Sequence, residues 1–138
     1  MKTMCKLNIN STFSDVRLAS TLLAEFCLKH KLKIEMQGHL ELILTEALNN
    51  VVEHAYEEKP DGNILIELEK VNINTVIKIT DQGIAAPGTV ITEGSALPNE
   101  NKLPEGGWGL CLIQALADTV EYVRRPDHNT LILTKTVI

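Results

Sequence analysis

The stretch Leu40–Tyr56, LELILTEALNNVVEHAY, constrains the fold more than any other, because Leu40, Ile43, Leu44, Ala47, Val51 and Ala55 recur at three- and four-residue steps. That is the period of an amphipathic helix with one apolar face. The other face carries Glu46, Asn49, Asn50, Glu53 and His54. Residues four apart are neighbours on a helix, so Glu46, Asn50 and His54 are expected to stack into one polar column. Charged residues opposite an apolar stripe are ordinary solvated surface, so the column gains meaning only from what stands elsewhere in the chain.

The rest of the chain supplies partners for the apolar face. At 138 residues it is expected to form one domain, 1–138, around a single core. Only 4% of its residues are aromatic, so that core has to be built from Leu, Ile, Val and Ala. Cys5 to Asn10 reads as a short first strand at an edge. Ser11 or Ser14 is positioned to cap a first helix whose stripe is Val16, Ala19, Leu22, Leu23, Phe26 and Cys27. After the organising helix, Glu57 to Asn63 contains Pro-Asp-Gly, a tight loop with a residue that tolerates positive φ. Ile64–Val71 and Asn74–Thr80 alternate as a hairpin turned at Asn72 to Asn74. Thr119–Arg125 and Thr130–Val137 form a second pair of strands around a Pro-Asp-His-Asn turn.

Between the two pairs, from Ile84 to Glu105, periodicity is lost and Pro87, Gly88, Gly94, Pro98 and Pro104 accumulate. Such stretches inside compact domains are usually functional, and this one reads as a lid. It closes on Gly106-Gly107-Trp108-Gly109-Leu110, before a helical stripe of Leu110, Ile113, Gln114, Leu116 and Ala117. Glycines at a helix entrance let backbone N–H groups face an anion.

Composition narrows the partners. A net charge of −5 provides no broad basic footprint, which weighs against nucleic acid and anionic membrane. No run of eighteen apolar residues and no signal-peptide pattern occur, so a cytoplasmic location is expected. Cys5, Cys27 and Cys111 are odd in number and lack CxxC spacing, the pattern of reduced thiols. There is no GxxxxGK[ST] and no GxGxxG. What remains are three separated pieces suited to one ligand: a helix face with a carboxylate and an amide, Asp81-Gln82-Gly83 ending a strand, and the glycine-rich helix start.

Glu46-x-x-x-Asn50 with His54-Ala55, then Asp81-x-Gly83, Gly107-x-Gly109-Leu110, and Asn129-Thr130 on the last hairpin resemble the N, G1 and G2 boxes of the GHKL ATPase fold. Within it, nearly the whole chain resembles the anti-sigma factor serine/threonine kinases of the SpoIIAB and RsbW type. The resemblance implies an α+β fold, a two-layer sandwich in which a mixed, mostly antiparallel sheet is covered on one face by three helices, with an ATP lid at about 84–105. It implies Asn50 as a Mg2+ ligand, since a hard cation prefers oxygen, and Glu46 as the general base for an attacking hydroxyl or water. Asp81 would accept a hydrogen bond from the adenine amino group, supported by Thr130. Gly83 would let the backbone approach the base, and Gly107, Gly109 and the Leu110 amide would wrap the phosphates of ATP. His54 lies on the nucleotide-facing side.

Where the family often has a second glycine after Gly83, this chain has Ala85, and Lys102 is the only basic residue of the lid. The implied partners are a STAS-type anti-sigma factor antagonist and a sigma factor, with no nucleic acid and no membrane. Family members often form homodimers, and no interface is legible here. Two other readings stay open. One is a nucleotide-binding adaptor without catalysis, against which Glu46 argues. The other is the catalytic domain of a sensor histidine kinase, which fits poorly because no helix with a phosphoacceptor histidine precedes the first strand.

Overall fold

A computed structural model describes residues 3–85 and 111–137. Strand β1 (Thr3–Asn10) leads into α1 (Phe13–Lys29) and α2 (Ile34–Asn50), followed by β2 (Asn63–Val71) and β3 (Asn74–Asp81). Helix α3 (Cys111–Leu116) precedes β4 (Thr119–Arg124) and β5 (Asn129–Thr136). The sheet order is β1-β2-β3-β5-β4, so β1 does lie at an edge. All four ladders are antiparallel, and the parallel pairing that a mixed sheet would contain is not found among the described residues.

One face of the sheet is apolar because side chains alternate along a strand. Ile64, Ile66 and Leu68 of β2, Ile77 and Ile79 of β3, and Leu131 and Leu133 of β5 point to the same layer and are buried. Against them pack Val16, Ala19, Leu23, Phe26 and Cys27 of α1, then Leu40, Ile43, Leu44 and Ala47 of α2, and Ile113 of α3. The expected stripes of α1 and α2 are thus the buried ones, apart from Leu22, which packs partly buried at the margin; in the third stripe Ile113 is buried, Leu116 and Ala117 are partly buried and Gln114 is exposed. Burial pushes the Cys27 thiol up to about 11, aided by nearby Glu41, as suits an inert core thiol.

Local chemistry departs from expectation at three places. Thr12 caps α1: its hydroxyl accepts from the Asp15 N–H at 3.1 Å. Ser11 instead ties the following loop, accepting from Gly62 N–H at 2.9 Å and donating to the Lys59 carbonyl. In that loop the positive φ values fall at Glu57 (52°) and Glu58 (61°), upstream of the Pro-Asp-Gly. The organising helix also starts earlier than Leu40 and changes pitch at Val51. Residues Val51–Ala55 form a π turn, in which Tyr56 N–H reaches back to the Val51 carbonyl at 2.9 Å and Glu58 N–H to Val52 at 2.8 Å.

The end of α1 has a Schellman pattern. Leu32 N–H bonds to the Cys27 carbonyl at 2.9 Å and Lys31 N–H to Leu28 at 3.2 Å, with Lys31 at φ 57°. That left-handed position is normally occupied by glycine, which has no Cβ to crowd the backbone. Lys31→Gly is therefore expected to raise stability by about 0.5–1 kcal/mol, read as a higher urea midpoint with an unchanged slope; a lower midpoint would contradict the assignment.

Candidate functional site

The C-terminal end of α2 and the end of β3 meet through their backbones. Helix ends leave carbonyls without intrahelical donors, and the Ala55 carbonyl is satisfied by Ile84 N–H at 2.8 Å. Gly83 makes the approach possible. A Cβ placed there would lie 2.3 Å from the Ala55 oxygen and 2.9 Å from the Ala55 Cβ. The expected role of Gly83, access of backbone to a base, is thus joined by a close packing of strand end on helix end. Tyr56 stitches the same seam: its hydroxyl donates to the Asn63 carbonyl at 2.6 Å and accepts from Gln82 N–H at 2.8 Å.

Asp81 is 4% exposed at the end of β3. Asn129 Nδ2 donates to its Oδ1 at 2.9 Å, and Gly83 N–H donates to the same oxygen at 2.8 Å. No described residue places a donor on Oδ2. Burial raises the Asp81 pKa, opposed by these two hydrogen bonds and by the charge of Arg124. Arg124 Nη1 in turn donates to Asn129 Oδ1 at 3.1 Å and to the Gly83 carbonyl at 3.3 Å, and Asn129 Nδ2 also reaches that carbonyl at 3.1 Å. Asn129, fully buried, is the residue that orients the carboxylate. In the sequence it stands one position from the expected supporter, Thr130, and the register explains the difference: Asp81 is opposite Asn129, while Thr130 is opposite Thr80. A one-residue step turns a strand side chain to the other face, so Thr130 lies on the face of the sheet away from Asp81.

On α2, Asn50 is 6% exposed and its Nδ2 has no hydrogen-bond partner. Glu46, one turn earlier, is half-buried. His54, expected to continue their column, falls in a π turn. Its imidazole Nε2 lies 3.6 Å from Glu53 Oε2, and the side chain is 41% exposed. Gly107, Gly109 and Leu110, like most of the expected lid, lie outside the described residues. A cleft of about 440 Å³ opens beside the seam, walled by Tyr56, Lys59, Gln82, Gly83, Ala85 and Arg124; Asp81, Asn50 and Glu46 do not line it. Arg124 and Tyr56 were not singled out by the sequence, where neither belongs to a recognisable motif.

A buried carboxylate whose pKa is raised binds its proton more tightly folded than unfolded, so it costs stability once pH rises through its folded pKa. Asp81→Asn keeps both acceptor contacts and removes the charge. The variant is expected to be more stable than the native protein at pH 7, by about 1 kcal/mol. The gain should shrink as pH falls through the raised Asp81 pKa, where the native side chain becomes neutral as well; thermal melts across that range check it, and a gap that grows on acidification would refute it.

Residues 9–135 match the histidine kinase-like ATPase domain family. Over 86 residues the chain is 37% identical to the serine-protein kinase RsbW of Oceanobacillus iheyensis, a match covering 59% of this chain and 54% of that protein. It is 26% identical over 102 residues to an anti-sigma F factor of Heyndrickxia coagulans, covering 73% and 69%. The crystal structure of the RsbU and RsbW domains of Rv1364c from Mycobacterium tuberculosis has the same fold, with a TM-score of 0.69 at 17% identity over 98% of this chain and 32% of that one. No helix among the described residues is long and apolar enough to cross a membrane. With this sheet, these helices and this family match, the chain belongs to the histidine kinase-like ATPase domain family.

Proposed function

We propose that this chain is a serine/threonine protein kinase of the partner-switching kind, which transfers the ATP γ-phosphate to a STAS-type anti-sigma factor antagonist and thereby controls a sigma factor. The observation that carries the nucleotide part is Asp81: a buried carboxylate with Oδ1 pinned by Asn129 and Gly83 and Oδ2 given no donor by the described residues. A fixed, unspent acceptor of this kind suits the exocyclic amino group of adenine. The protein-kinase part is supported by the names of the relatives, a serine-protein kinase and an anti-sigma F factor.

Asn50 fits a cation. Its buried amide has an unpartnered end, and a half-turn of the amide exchanges nitrogen for oxygen without changing shape. Mg2+ bound there would neutralise phosphate charge. Glu46, a turn away on the same face of α2, would take the proton as a substrate hydroxyl oxygen bonds to the γ-phosphorus. The bond to the β–γ bridging oxygen then breaks and ADP leaves. Gly107, Gly109 and the Leu110 amide would hold the phosphates, under a lid at about 84–105. His54, in the π turn that follows, would lie on the nucleotide-facing side.

Asn50→Ala should weaken Mg2+-dependent ATP binding at least tenfold by calorimetry, the usual scale for losing a metal contact. Glu46→Ala should leave that binding within a few-fold and slow labelled phosphate transfer to STAS-type proteins of the same genome by about 10²–10⁴-fold. Unchanged transfer by Glu46→Ala would sink the base assignment, and undiminished binding by Asn50→Ala the metal ligand.

A further inference from the structure

At the end of the sheet remote from Asp81, a second cleft of about 180 Å³ is ringed by His30, Lys31, Lys33 and Lys70, with Met36 and Val137 on its apolar side. Asp81 is in register with Ile64, at the other end of β2 from Lys70. Six residues of strand separate them, about 20 Å. The two sites therefore do not overlap.

Three lysines around one small cleft are notable in a chain of net charge −5 with only 13 Lys and Arg. The ordinary explanation, basic side chains answering the negative end of a helix, covers Lys31 after α1. It does not cover Lys33, which is the N-cap residue of the 17-residue α2 and makes no capping hydrogen bond. A cation there stands at the positive end of the helix, next to amides that a capping side chain would otherwise satisfy. The acidic residue of that first turn is Glu35.

His30 adds a second signal. Its ring lies 4.5 Å from the Phe26 ring, and its Nε2 is buried with no partner. Lys70 Nζ donates to the Asn72 carbonyl at 2.5 Å, which leaves two of its three N–H groups unspent. Burial, and after it the charges of Lys29 and Lys70, lower the His30 pKa.

We infer that this cleft is a binding site for a free phosphate-bearing small molecule, held by Lys31, Lys33, Lys70 and the His30 imidazole. Compact ammonium groups approaching from several directions suit a tetrahedral oxyanion, whereas a planar carboxylate is better matched by an arginine fork. Met36 and Val137 leave room for a short apolar body, so a phosphomonoester fits better than orthophosphate alone. The left-handed backbone at Lys31, which glycine would adopt with less strain, is consistent with a side chain kept for the site rather than for the turn.

The test is imidazole NMR on the full chain, titrated with glycerol 3-phosphate at fixed pH and with ionic strength held constant by sodium chloride. The four histidines report separately: His30 signals should move and saturate, while occupancy of the candidate nucleotide site would move those of His54 instead. The double variant Lys33→Gln, Lys70→Gln should weaken the His30 response at least tenfold. A linear, unsaturated shift, a response unchanged in the double variant, or an effect obtained only with phosphatidic acid vesicles would each overturn the inference. The inference does not depend on kinase activity, so loss of transfer in the Glu46 variant leaves it standing.

Discussion

The contact between the Ala55 carbonyl and Ile84 N–H, with no side chain at Gly83 to hold them apart, is the joint on which the candidate site depends. One element carries Asn50 and Glu46 and the other carries Asp81; the shared core packs α2 on the sheet, and this seam joins the ends that bear the polar residues. The π turn is part of the same joint. By widening the last turn of the helix it delivers Ala55 to the strand end, while Tyr56 locks the far side through Asn63 and Gln82. A substituent of even one carbon at position 83 would collide with backbone, which has no rotamer in which to give way.

What the sequence made legible follows from periodicity. The stripe from Leu40 to Ala55 predicts a buried face because hydrophobic spacing survives a change from α to π pitch over a single turn. The alternation in Ile64–Leu68 and Val76–Ile79 predicts the hairpin for the same reason. The pairing of Asp81 with Asn129 was less accessible. Asn129 and Thr130 are adjacent polar residues of similar size, and only the register of β3 against β5 decides which of them faces the carboxylate. The change of pitch at Val51 was not legible at all, since Val51–Ala55 contains no glycine or proline to mark it. Likewise Ser11, Thr12 and Ser14 are chemically equivalent as caps, and the loop closing on Gly62 decides among them.

Stability and function pull apart at two positions. Asp81 sits where burial disfavours its charge, and a neutral isostere would suit the fold better. Lys31 occupies a backbone conformation that glycine would adopt with less strain. Residues that break a local rule while the core around them obeys every such rule are where ligand contacts are to be sought. One of the two lies at each end of the same sheet, next to a cluster with polar groups left unspent.

The central claim is that Asp81 reads the amino group of adenine. It is tested most directly by comparing ATP with inosine triphosphate, which carries a carbonyl oxygen in place of that amino group, by calorimetry on the native chain with Mg2+ present. The account predicts that inosine triphosphate binds at least tenfold more weakly, because a carbonyl facing the Asp81 carboxylate sets two acceptors against each other. Equal affinity for the two nucleotides would contradict it.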